Sequence, residues 1–292
     1  MSRLLISFSG GETSAFMAQW ILNNWRDRYD EMICVFANTG QENEETLRFV
    51  QKCDEAFDLG VVWVEAVVNG QGKGCTHRVV NYWTASRQGE PFEAVIEKYG
   101  IPNKAYPHCT RELKLNAIAS LVRAIGWEKG SYDTAVGIRS DEIDRMAADA
   151  KKHGLVYPLV SKVEMTKPRV NAWWKSQPFR LQLKGYEGNC KWCWKKSLRK
   201  HLTLITDHPE WYDFPERMER EHGVSGHNVD GNQRVFFREG LSTKDLRELA
   251  AKGGFRPAHD DSQDFEDQLS MDLDASSGCS ESCEIDFTEV AV

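Results

Sequence analysis

The chain has no apolar run approaching the 18 or so residues of a membrane span, and its first residues lack the basic, apolar, small-residue succession of a secretory signal. A membrane partner is therefore not expected, and the cytoplasm is the expected compartment. No internal repeat is present. No lysine follows the first glycine-rich turn in the manner of a Walker A loop, and no third glycine completes a dinucleotide fingerprint. Only one C-x-x-C pair occurs, so a second half for a four-cysteine zinc motif is missing. Basic residues stop at Arg256.

The 292 residues, 41% hydrophobic, are enough for one large α/β domain or two smaller ones with a sizeable core. Eight cysteines in a chain of this kind read as core residues, metal ligands or redox groups rather than a disulfide framework. Cys34 and Cys53 fall in apolar patterns and read as small core residues. The net charge of -7 hides two different regions. Eleven acidic residues lie between Asp260 and Glu289, and setting them aside leaves 33 acidic against 37 basic residues, about +4.

Short β-branched-rich runs at 4–8, 32–37 and 61–67 alternate with helical patterns at 13–25 and 43–57. This alternation predicts a parallel twisted sheet with helices on both faces, an α/β fold. A helix is predicted over 111–125, a strand over 134–138, and helices near 195–206, 210–222 and 242–251, the last capped by Ser242. The expected organisation is a nucleotide-binding domain over 1–200, a helical extension over 201–256 and a flexible acidic tail over 257–292.

Ser9-Gly10-Gly11-Glu12-Thr13-Ser14 directly follows the first strand. Glycines there let the backbone turn close to an anion, and the next helix offers unpaired N–H groups at its positive end. The second strand ends in Asn38-Thr39-Gly40-Gln41-Glu42, so two polar strand ends should border one crevice.

These motifs, with Cys109-Thr110-Arg111-Glu112-Leu113-Lys114, Gly137-Ile138-Arg139-Ser140-Asp141-Glu142, Tyr157-Pro158-Leu159, Gln177-Pro178-Phe179 and Gly188-Asn189-Cys190, resemble the phosphoadenosine phosphosulfate (PAPS) reductase family of the adenine nucleotide alpha hydrolase (PP-loop) superfamily. The likeness keeps its order over residues 4–200 and is greatest to the bacterial and phage PAPS-reductase-like branch. Thr13 stands where that family has Asp. The resemblance implies that Ser9, Gly10, Gly11, Thr13 and Ser14 hold a phosphate or sulfate, that Asn38, Thr39 and Gly40 border the adenosine, and that Arg139 meets the anionic end. The residues themselves also allow Arg139 to form a surface salt bridge with Asp141 or Glu142.

Cys190-Lys191-Trp192-Cys193 has the spacing that turns two thiolates toward one metal. Cys109, just before a helix, is the natural third ligand, and the family places cluster cysteines there. Cys75, His108, a tail cysteine or a substrate atom are the candidates for a fourth. A [4Fe-4S] cluster and zinc both remain open, as does an unligated pair. The family's adjacent cysteine pair is here His108-Cys109. In the tail, Cys279 and Cys283 are the candidate catalytic thiols, because the resemblance implies a C-terminal cysteine that attacks the sulfate sulfur and is later released by a thiol reductant. Acidic neighbours and an altered terminal motif leave a merely solubilising tail as the alternative.

Between Lys162 and Lys200, eleven Lys or Arg residues and Trp173, Trp174, Trp192 and Trp194 face only Glu164 and Glu187. Such a segment would suit a nucleotide or single-stranded nucleic acid. The leading expectation is a PAPS-reductase-like enzyme that binds an adenylyl sulfate nucleotide and transfers or reduces its sulfur group. The alternatives are an ATP-dependent sulfurtransferase acting on RNA or DNA with an iron–sulfur cluster, and an inactive nucleotide-binding interaction protein. The number of chains in the assembly, a homo-oligomer included, is not set by the sequence.

Overall fold

The computed structural model describes residues 1–226 and 231–265. The chain runs β1 (Arg3–Ser7), α1 (Glu12–Asn24), β2 (Glu31–Asn38), α2 (Glu44–Phe57), β3 (Val61–Val67), β4 (Thr76–Val80) and α3 (Glu90–Tyr99). A π-helical turn, Arg111–Leu115, then opens α4 (Asn116–Ala124). There follow β5 (Asp133–Ala135), β6 (Leu155–Val156), α5 (Pro158–Ser161), α6 (Lys167–Lys175), α7 (Leu198–Asp207), α8 (Asp213–His222) and α9 (Thr243–Lys252).

The strands form one sheet in the order β4-β3-β2-β1-β5-β6. All neighbours are parallel except β3 and β4. Alternate residues of β1 and β2 enter opposite cores: Leu5, Val35 and Ala37 on one face, Leu4, Ile6, Cys34 and Phe36 on the other. Near-continuous apolar runs are what a sheet covered on both faces requires. α1, α2 and α6 cover one face through Met17, Val50 and Trp174, while α3, α4, α7, α8 and α9 cover the other through Val95, Ile118, Leu204, Met218 and Leu246. The predicted α/β class is therefore present, with the helices of 201–256 packed into the same core as the sheet.

Several details differ from expectation. β4 is an antiparallel edge strand absent from the sequence reading, stabilised by Arg78 Nη2 donating to the buried Glu65 Oε2 at 2.6 Å. α3 was likewise not anticipated. β5 is only three residues long, because beyond Ala135 the chain bends so that Ile138 N donates to Val136 O. The helix expected over 111–125 begins as the π turn.

Residues 258–264 depart from the expected flexible tail. They lie on the basic segment, where Asn171 Nδ2 donates to the carbonyls of Asp261 (2.8 Å) and Asp264 (2.7 Å) and Gly185 N donates to Asp260 Oδ1 (2.7 Å). These contacts are mostly hydrogen bonds to backbone groups, and Lys167 Nζ, 3.8 Å from Asp261 Oδ1, adds an ion pair to the basic segment. Among the described residues, no helix is long and apolar enough to cross a membrane.

Candidate functional site

β1 and β5 are neighbours whose following chain segments leave in opposite directions, the kind of switch point at which α/β sheets open a crevice beyond their strand ends. There the loop after β1 and Arg139 after β5 converge on a pocket of about 70 Å³. Ser9, Gly10, Gly11, Thr13 and Arg139 line it, together with Glu12, Glu42, Thr46, Lys167, Lys184, Asn189 and Ser262.

Gly10 is required by the loop. Its φ is +84°, and a Cβ at this position would meet Thr46 Cγ2 at 2.7 Å and Phe36 at 3.0 Å. Gly11 caps α1 without a side-chain acceptor, so the first-turn N–H groups point outward with the positive end of the helix. Ser14 does not line the pocket. Its hydroxyl lies 2.9 Å from Ser9 Oγ and donates to Gly11 O at 3.0 Å, bracing the turn.

Arg139 is 5% exposed, so it is not a surface residue. Its Nη1 donates to Thr13 Oγ1 at 3.3 Å, and its guanidinium pairs with Asp141 at 3.0 Å and Glu142 at 3.4 Å. Those carboxylates fix the guanidinium against the loop. Thr13 thus presents a neutral hydroxyl to Arg139, where an Asp would add a charge.

Asn38, Thr39 and Gly40 are the strand-end residues expected to border the adenosine. They do not line this pocket. Asn38 Nδ2 donates to Glu65 Oε1 at 2.6 Å and to Ser86 O at 2.9 Å. Gly40 packs against Gly89. Thr39 borders a second pocket, lined also by Cys109, Cys190, Cys193, Trp192, Trp194, Thr110, Lys114 and Lys195.

Cys109, Cys190 and Cys193, the three expected ligands, thus line one pocket. Cys193 N donates to Cys190 O at 3.1 Å, closing the knuckle, and Trp194 Nε1 donates to Cys109 Sγ at 3.4 Å. Among the described residues, no fourth cysteine and no histidine lines this pocket. Cys75 is buried against Glu112, and burial first, then that carboxylate, pushes its thiol up to about 12. His108 faces Gly100 O at 3.1 Å, and burial followed by Arg111 pushes it down to about 4. Neither is placed as the fourth ligand. Cys279 and Cys283 lie outside the described residues.

Three thiols beside two lysines suit a thiophilic metal ion or an iron–sulfur cluster in donor chemistry. The three sulfurs are not all within 4.8 Å of one another, so holding a single ion or a cluster requires these side chains to move together.

Glu42 joins the two pockets. It lines the first, and its Oε1 accepts from Thr39 Oγ1 at 3.1 Å and from Cys190 Sγ at 3.8 Å, with Lys114 Nζ at 3.6 Å. It sits inside the strand-end motif seen in the sequence, but nothing in that motif distinguished its role from that of Gln41. Lys167 and Lys184 belong to the basic segment expected to meet an anion, though nothing there set them apart from its other lysines, and Ser262 carried no signal at all. The tryptophans of the basic segment turn inward: Trp174 and Trp192 are fully buried, Trp194 nearly so, and the half-buried Trp173 packs on Phe16 at 5.0 Å.

No family model matches the chain. Over 287 residues it is 30% identical to the protein named "Uncharacterized nin region protein ORF290" of Escherichia phage lambda, an alignment covering 96% of this chain and 94% of that protein. The chain belongs to the family of that phage lambda nin region protein.

Proposed function

We propose that the protein is a PAPS-reductase-like enzyme that binds an adenylyl sulfate nucleotide with its anionic end in the Ser9–Thr13 loop and transfers or reduces the sulfur group. The observation that carries this reading is the convergence of an uncapped helix N-terminus and buried Arg139 on one pocket, with Glu42 linking that pocket to Cys190, which lines a second pocket with Cys109 and Cys193. Backbone N–H groups, Arg139 and Lys167 would bind and orient the anion without a Walker lysine. Held by Cys109, Cys190 and Cys193, a zinc ion or [4Fe-4S] cluster would supply a thiophilic position beside the nucleotide. A thiol reductant would be the electron source.

Titration calorimetry with PAPS, adenylyl sulfate, ATP and AMP, followed by an assay for sulfite release with a thiol donor, tests the reading. Tighter binding of a sulfonucleotide than of ATP, with sulfite release, is the expected result. ATP as the preferred ligand, cleaved between its α and β phosphates only when RNA or DNA is present, would replace it with a nucleic-acid sulfurtransferase. The inward-turned tryptophans oppose that second reading, because stacking on bases needs exposed rings. Nucleotide binding without turnover would indicate an inactive interaction protein.

A further inference from the structure

Within residues 258–264, Ser262 forms part of the wall of the anion pocket. Polar contacts hold the segment there. Besides the two bonds from Asn171 and the one from Gly185, Arg180 Nη2 donates to Ser262 O at 3.1 Å, Ala258 N donates to Thr203 Oγ1 at 2.8 Å, and Lys167 Nζ lies 3.8 Å from Asp261 Oδ1. The stretch from Ala258 to Asp264 contains no large apolar side chain. Segments held by hydrogen bonds without large buried apolar anchors belong to the low end of local stability.

Two of these contacts also belong to the pocket. Lys167 lines it, so an entering anion competes with Asp261 for the same ammonium group. Arg180 grips Glu12, the first residue of α1, through two 2.9 Å bonds while holding Ser262, which ties the anion-binding turn to the covering segment. Size adds a constraint: about 70 Å³ admits one tetrahedral anion, whereas sites for whole small molecules occupy roughly 300–1,000 Å³.

We infer that residues 258–264 form a strap that covers the anion pocket and is displaced when a nucleotide, rather than a lone anion, enters. The inference rests on the nucleotide reading above. Inorganic sulfate fits beneath the strap, while a nucleoside attached to the anion needs the space that the strap occupies. The strap therefore selects against a nucleotide until its polar contacts are broken.

The test uses the full chain and two variants, Asn171→Ala in the body and Asp260→Ala in the strap, each checked for an unchanged thermal melt. Hydrogen exchange of the 258–264 amides and binding affinity are measured with inorganic sulfate, adenosine 5′-phosphosulfate and ATP. The expected result is much faster exchange of the strap with a nucleotide than with sulfate, which displaces only the Lys167 contact, and nucleotide binding tightened about tenfold in both variants, a coupling of ordinary size. Nucleotide binding to the wild type with slowed or unaltered strap exchange, or equal or weaker binding by the variants, overturns the strap and leaves the nucleotide reading standing. No nucleotide binding by any of the three proteins overturns that reading, and the strap with it.

Discussion

Glu42 Oε1 lies 3.8 Å from the sulfur of Cys190, and the same carboxylate lines the pocket that holds Arg139 and the glycine turn. One buried acid thus touches both parts of the candidate site. Lys114, 7% exposed, has its ammonium 3.6 Å from this acid. Removing one member of a buried pair leaves the other charge poorly compensated. Glu42→Ala is expected to lower the melting temperature by about 5 °C, equivalent to about 2 kcal/mol for a chain of this size. Glu42→Gln, which still accepts from Thr39, should lose about half as much. Calorimetric melts of the two variants check this, and equal melting of Glu42→Ala and wild type would refute it.

The two loop glycines should respond differently to the same substitution. Gly10→Ala combines a left-handed backbone with a 2.7 Å approach to Thr46, and should cost about 3 kcal/mol. A methyl added at Gly11 would meet no atom nearer than 3.8 Å, so Gly11→Ala should fold like the wild type. Because Gly11 lines the pocket, the added methyl should still weaken anion binding. Parallel urea melts and sulfate titrations separate the two effects.

What the sequence made legible was what is local. A strand running into Gly10-Gly11, a knuckle at Cys190 and Cys193, and Ser242 as a helix cap all depend on residues within a few positions of one another, and Ser242 Oγ does accept from Asp245 N at 3.2 Å. Cys109 was reachable from its helix-start position together with the family resemblance. Thr39 shows where local reading stops: the motif put it at a strand end, but only the packing of residues 190–194 decided that it faces Cys190 at 3.4 Å. Asn38 is held by the buried Glu65, a partner invisible until β3 and β4 pair. Ser262 is held at the pocket by Arg180, 82 positions away, and by the bond from Asn171 to its neighbour Asp261, 90 positions apart, while the acidity of its own neighbourhood pointed toward solvent.

A pH dependence of stability follows from His201. Burial pushes its imidazole down to about 3, with Lys196 and Arg238 adding to the effect, and its Nδ1 lies 2.8 Å from the Tyr212 hydroxyl. The unfolded chain protonates this group near about 6.5. Between those values the unfolded state binds more protons, so stability falls as the pH drops below about 6.5 and is insensitive to this group above it. His201→Gln removes the proton uptake, though it also perturbs the packing against Phe237 at 4.6 Å. The gap in melting temperature between wild type and variant should therefore narrow from pH 7 to pH 5. A gap that stays constant over that range would show that His201 is not held neutral.

The cysteine pocket makes the sharpest separation between neighbouring thiols. Cys109, Cys190 and Cys193 line it, whereas Cys75 is buried beside Glu112 and Cys34 and Cys53 lie in the opposite core. Loss of one of three thiolate ligands removes most of the binding energy of a thiophilic metal. In anaerobically purified protein, Cys109→Ser, Cys190→Ser and Cys193→Ser should each lower bound metal at least tenfold, and Cys75→Ser should leave it unchanged. Elemental analysis gives the stoichiometry, and absorption near 400 nm distinguishes a cluster from colourless zinc. Metal retained by all three pocket variants would mean that these sulfurs do not form a metal site.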